Sequence, residues 1–126
     1  MKNDCGICHR ITKKEVYNFI DKICDNAKIN NKNKFILYKE TLKILQKEDK
    51  GKWFSLWCGK NKRVIIGSIV YVIGIVFNIK QKPNKKLGYS HNVLTQRCIA
   101  DSLNISVPSI YNFYKKILKK YYPELL

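Results

Sequence analysis

Cys5-Gly6-Ile7-Cys8-His9 is a string whose spacing could hold a metal. Two thiolates two residues apart can take two corners of a zinc tetrahedron, but zinc needs four ligands, usually from two such pairs. Cys24 follows at a ribbon-like distance, yet its partner position holds Ala27 and Cys24 falls on an apolar helical stripe. The string also matches haem attachment, for which nothing else in the chain argues. Cys5 and Cys8 are thus weak metal candidates, a tail with two free thiols accounts for them, and no cofactor is expected. Ser90-His91 has no third member and no Gly-rich elbow, which argues against nucleophilic catalysis. Nine acids offer no arguable carboxylate pair. The expectation is a protein that is not an enzyme. Trp53, Trp57 and the eight tyrosines read as core and rim.

Charge carries more information. The 126 residues include 25 basic and 9 acidic side chains, a net charge of +16. AT-rich codon bias favours Lys, Asn and Ile, but it would raise the acids too, and they are scarce. No acid lies between Asp49 and Asp101, a span that holds Lys50, Lys52, Lys60, Lys62, Arg63, Lys80, Lys82, Lys85, Lys86 and Arg97. Such a field attracts nucleic acid, an acidic protein or an anionic membrane surface. Met1 to Arg10 lacks the apolar stretch of a signal peptide. Five cysteines, an odd number, argue for a reducing compartment. The expected location is cytoplasmic or nucleoid-associated, or nuclear in a eukaryote. Val64 to Phe77 is shorter than the roughly 20 apolar residues a bilayer crossing takes, so no membrane partner is expected.

The elements that would position these residues are helical. Thr12 and Glu15 form a capping box, and Ile11 with Val16 the matching staple. Val16, Phe19, Ile20, Ile23, Cys24 and Ala27 then recur at helical spacing, which predicts a helix from about Lys13 to Lys28, broken by the Asn-rich stretch Asn30 to Asn33. A second helix is predicted over Lys34 to Lys50, with Phe35, Tyr38, Leu42 and Leu45 on its stripe and Gly51 as its stop. Trp53 to Cys58 reads as a helical turn over the core. Val64 to Phe77 is β-branched like a strand but has the length of a helix buried on all sides, with Gly67 and Gly74 allowing close neighbours. Lys80 to Asn92 reads as a linker, followed by helices at about Gln96 to Leu103 and Val107 to Tyr121, N-capped by Thr95 and Ser106. Pro108 is tolerated in a first turn.

The span from Thr95 to Lys116 is the most specific. Ile99 and Leu103 form an apolar stripe, Ala100 is small where two helices must cross, and Asn104 tolerates the positive φ of a sharp turn. Ile105, Ile110 and Phe113 would lock the second helix across the first, the geometry that presents a recognition helix to the major groove. At about 100° per residue, Ile110, Phe113, Tyr114, Ile117 and Tyr121 share one face, with Asn112, Lys115 and Lys119 opposite, flanked by Ser109 and Lys116. Asn can read a base edge, and lysines can hold phosphate or guanine. An ordinary hairpin with a solvated lysine face fits the same pattern.

With those residues in view, the chain resembles one cyclin-like repeat of the transcription factor IIB family, which includes archaeal transcription factor B. An initial helix pair leads into Lys60-Asn-Lys-Arg-Val-Ile-Ile-Gly-Ser-Ile-Val-Tyr-Val-Ile-Gly, similar to the family's basic turn and buried central helix. Thr95 to Leu118 resembles the helix-turn-helix that ends the family's second repeat. The resemblance implies an all-α, cyclin-like five-helix domain around a buried central helix, spanning 11–126 after a tail of 1–10, with its helix-turn-helix at 95–121. It implies double-stranded promoter DNA as ligand, read through Gln96, Arg97, Ser106, Ser109, Asn112 and Lys115, to which the outward face adds Lys116 and Lys119. It implies the TATA-binding protein and the RNA polymerase machinery as protein partners. One repeat where the family has two, and no complete zinc ribbon, fit a regulator or decoy better than a polymerase recruiter. The alternative is a cyclin-like interaction module that binds an acidic transcription partner without reading DNA.

Overall fold

The computed structural model describes residues 11–49, 60–82 and 93–125. The Cys5–Cys8 tail, the turn expected at Trp53 to Cys58, Ser90-His91 and most of the expected linker lie outside them. The described residues form an all-α fold: α1 (Lys13–Ala27), α2 (Asn31–Asp49), α3 (Lys62–Val76), α4 (Gln96–Leu103) and α5 (Val107–Tyr121), closed by a 3-10 turn at Pro123–Leu125. No helix among them is long and apolar enough to cross a membrane.

α1 begins where its sequence says. Thr12 Oγ1 accepts the Glu15 N–H at 3.2 Å, and the Glu15 carboxylate accepts the Thr12 N–H at 2.9 Å, so two otherwise orphaned donors are satisfied. Val16, Ile20, Ile23, Cys24 and Ala27 are buried, while Phe19 is half-buried. The helix ends on Lys28, whose φ of 57° turns the chain away.

α2 departs from the sequence reading in two ways. It starts at Asn31, because the Asn30 side chain accepts the Asn33 N–H at 2.8 Å and thereby caps the helix. Its inward face is Leu37, Glu40, Thr41, Ile44 and Glu48. The predicted stripe is rotated away: Phe35 is 64 % exposed, and Tyr38, Leu42 and Leu45 are half-buried. Carboxylates on the inner face look prohibitive in the sequence, but here they are partnered. Glu40 pairs with Lys43 at 3.2 Å, and Glu48 is bonded by Lys120 and Tyr121 of α5.

α3 is the buried centre. Ile65, Ile66, Gly67, Ser68, Ile69, Val70, Val72, Ile73 and Gly74 are all buried, and the helix packs against each of the other four α-helices. The run Val64 to Phe77, ambiguous between strand and helix in the sequence, is thus helical to Val76, with Ile75 and Phe77 exposed at its end. A Cβ on Gly67 would stand 3.2 Å from Ile99 Cγ2 and 3.3 Å from both Leu103 Cδ1 and Ile105 Cδ1, so glycine sets how closely α4 and the turn after it approach α3.

The ends of the expected linker are fastened to the core. Lys80 pairs with Val93 in an antiparallel bridge, Leu94 N–H donates to the Ile79 carbonyl at 3.0 Å, and Lys82 N–H donates to the Ala27 carbonyl at 2.9 Å. The buried Gln81 accepts the Thr95 N–H at 3.0 Å, which fixes the start of α4.

Candidate nucleic-acid interface

Helices α4 and α5 meet at a turn whose every residue has a local reason. Thr95 Oγ1 accepts the Cys98 N–H at 3.1 Å and caps α4. Asn104 ends it with φ 56° and ψ 48°, the left-handed conformation that Asn adopts more readily than most residues. The Ile105 N–H returns to the Ala100 carbonyl at 3.0 Å, and Ala100, only 2 % exposed, leaves the crossing room. Ser106 Oγ accepts the Ser109 N–H and caps α5, with Pro108 in the first turn. Ile110, Phe113, Ile117 and Leu118 are buried, and Ile105, Tyr114 and Tyr121 pack partly against the core.

α3 anchors this unit through polar contacts too. Arg63 Nη1 donates to the Leu103 carbonyl at 3.3 Å, a cation on one of the orphaned carbonyls at the C-terminal end of α4. Lys62 pairs with Glu15 at 2.9 Å, and Lys60 lies 5.2 Å from the Phe113 ring centroid. The basic turn before α3 is therefore committed to holding the fold.

The candidate contact residues sort cleanly. Asn112, Lys115, Lys116 and Lys119 are exposed on α5, Ser106 is exposed at its start, and Ser109 is half-buried with its Oγ 2.6 Å from Ser106 Oγ. On α4, Arg97 is exposed, with Nε 3.8 Å from the Asp101 carboxylate, and Gln96 is half-buried. No acid occurs between Val107 and Tyr121, so the outer face of α5 has no internal counter-charge. Among the described residues, the α5 lysine committed to a carboxylate is Lys120, on Glu48. The other ion pairs among the described residues, Lys34–Asp21, Lys43–Glu40, Lys62–Glu15 and Arg97–Asp101, lie off α5. α5 thus carries four lysines and no acid of its own, within a chain that is basic throughout.

Tyr111 was absent from the residues predicted to line this face. It is 49 % exposed, and Lys115 Nζ donates to its hydroxyl at 3.3 Å. That bond holds the Lys115 ammonium above its ordinary pKa, so it stays charged. Spacing was the available signal: the two residues stand one helical turn apart. A shallow groove of about 760 Å³ runs between α1 and α4, lined by Lys22, Asp25, Asn26, Asp101, Ser102 and Asn104 among others. Its two carboxylates make it a poor seat for a polyanion. Among the described residues no three His, Cys, Asp or Glu side chains gather where a metal could sit, and Cys5 and Cys8 lie outside them.

Compared with protein-family models, curated proteins and solved structures, the chain has no significant match.

Proposed function

We propose that this chain is a DNA-binding transcription regulator, built like one cyclin repeat of the transcription factor IIB family, that lays α5 in the major groove. The observation that carries this reading is the combination at α4–α5: two helices crossed by the left-handed turn at Asn104, the second presenting an acid-free outer face with Asn112, Lys115, Lys116 and Lys119. In such a dock Asn112 reads a base edge, and Lys116 and Lys119 hold phosphates. Ser106 and Ser109 approach the groove at the start of α5, and Gln96 and Arg97 meet the flanking backbone. The TATA-binding protein on promoter DNA is the partner this reading assigns, and the protein either joins that complex or blocks its surface. An interaction module that grips an acidic transcription partner would use the same positive face.

DNA binding separates the two. Even non-specific affinity for random duplex appears in a gel shift at low salt. Asn112→Ala should then cost about 1–3 kcal/mol on a preferred site and relax selectivity at one base pair. Lys119→Ala should weaken all sequences alike and lower the salt slope by about one unit. Both side chains are exposed, so melting temperatures serve as an unmoved control. Unchanged affinity and salt slope in both variants would remove α5 as the DNA-reading element. Footprinting in which a TATA-binding protein leaves occupancy unchanged would remove that partner.

A further inference from the structure

Tyr111 and Lys115 are joined before any ligand arrives. The Lys115 ammonium donates to the Tyr111 hydroxyl at 3.3 Å and sits 4.5 Å from the centroid of its ring. The ring is held in turn by neighbours. Tyr114 lies 6.2 Å away centroid to centroid at 58°, and Tyr114 itself meets Tyr71 of α3 edge-on at 4.9 Å. This aromatic ladder runs from the central helix to the half-exposed Tyr111, so the position of the phenol is set by packing.

The chemistry of the pair is one-sided. A phenol oxygen that accepts from an ammonium still has its own proton to give, and accepting from a cation polarises that O–H into a better donor. The ammonium keeps two further N–H groups. Two neighbouring groups therefore offer donors, with a full positive charge and no carboxylate on the same helix. A neutral guanine edge could take the hydrogen bonds but would leave the charge unmatched. An anionic oxygen pair takes both.

We propose that Tyr111 and Lys115 together clamp one backbone phosphate of duplex DNA, the phenol as a neutral donor and the ammonium as the charge. The proposal rests on the reading of α4–α5 as a DNA-binding helix-turn-helix. It divides the labour on α5: Asn112 carries sequence information, and the Tyr111–Lys115 pair fixes how far the helix slides along the groove.

The test is fluorescence anisotropy of the full chain on a labelled random duplex at two salt concentrations, with Tyr111→Phe, Lys115→Gln and the double variant. Tyr111→Phe keeps the ring and the ladder, so its melting temperature should match the parent. Its affinity should fall about three- to tenfold, the worth of one hydrogen bond, at an unchanged salt slope. Lys115→Gln should lower the salt slope by about one unit. In the double variant the Tyr111→Phe factor should shrink, because without the ammonium the phenol is no longer polarised. Parent-like affinity of Tyr111→Phe, or two fully independent losses, would overturn the clamp while leaving the DNA reading intact. A parent protein that ignores duplex at low salt but is retained by polyglutamate would overturn both.

Discussion

α5 sets Phe113 in the core at 1 % exposure, whereas α2 leaves Phe35 64 % exposed. The two helices draw on the same residue types, and the difference lies in which face the charges occupy. α5 keeps its lysines outside and its apolar residues on one side. α2 carries apolar residues around much of its circumference and buries Leu37 and Ile44 together with Glu40, Thr41 and Glu48. α2 packs on α1 and α3 in that orientation, and Lys120 and Tyr121 of α5 bond its Glu48. Where the apolar pattern is ambivalent, contacts from other helices accompany the face that goes in.

The largest way to break this comparison is to remove the residue that fixes α5. Phe113→Ala should cost about 3–5 kcal/mol, since it empties a fully packed site between α5 and the core. Denaturant unfolding would measure it. A loss under 1 kcal/mol would mean that α5 is not docked as described, and the helix-turn-helix geometry would fall with it.

This contrast also explains how much the sequence disclosed. The α4–α5 unit could be read because each of its determinants is local: Thr95 and Ser106 cap, Asn104 takes the left-handed turn, and the apolar residues of α5 share one side. The start of α1 could be read for the same reason. α3 was legible as an apolar run, but its helical state needed neighbours on every side, which no window of sequence contains. The face of α2 was hidden because the partners that satisfy its inward Glu48, Lys120 and Tyr121, lie more than seventy residues away. Of the candidate interface, the lysines and Asn112 were visible from helical periodicity. Tyr111 was not, because an exposed tyrosine acquires meaning only once its partner and its supporting ring are known.

Cutting the long-range tether should give the next effect. Glu48→Ala removes the acceptor of Lys120 and Tyr121 and should cost about 1–3 kcal/mol. The loss stays below that of a fully buried pair because the Lys120 side chain is 50 % exposed and can rehydrate. Urea melts of Glu48→Ala beside Glu48→Gln, which keeps an acceptor, would show whether the tether acts as described. Equal stability of Glu48→Ala and the parent would show that the tether does not help hold α2 in this orientation.

A smaller effect concerns the cap that makes α1 legible. The Thr12 N–H, and then the Lys62 ammonium, hold the Glu15 carboxyl below its ordinary pKa of 4.5. A group depressed in the folded state adds stability above its unfolded pKa and loses it as pH falls through the folded one. Stability should therefore decline as pH falls from about the ordinary value through the lowered one, and Glu15→Gln should flatten that part of the profile. Thermal melts across the acid range would register the difference. Parallel profiles for both proteins would show that the capping box contributes nothing through its charge.

The smallest expected effect bears most directly on α2. If Leu37, Thr41, Ile44 and Glu48 face the core, Phe35 sits on the outside with most of its ring in water, and Phe35→Ala loses little burial. Alanine is also the stronger helix former, so the two changes offset and stability should stay within about 0.5 kcal/mol of the parent. Leu37, by contrast, is fully buried, and Leu37→Ala should cost about 2–5 kcal/mol. The two residues lie two positions apart on one helix, about 160° around its axis, so the pair measures the rotation of α2 with little else changed. Were the apolar stripe of Phe35, Tyr38, Leu42 and Leu45 the inner one, the order would invert, with Phe35→Ala costly and Leu37→Ala nearly silent. Denaturant unfolding of the two variants under one set of conditions reads that order directly.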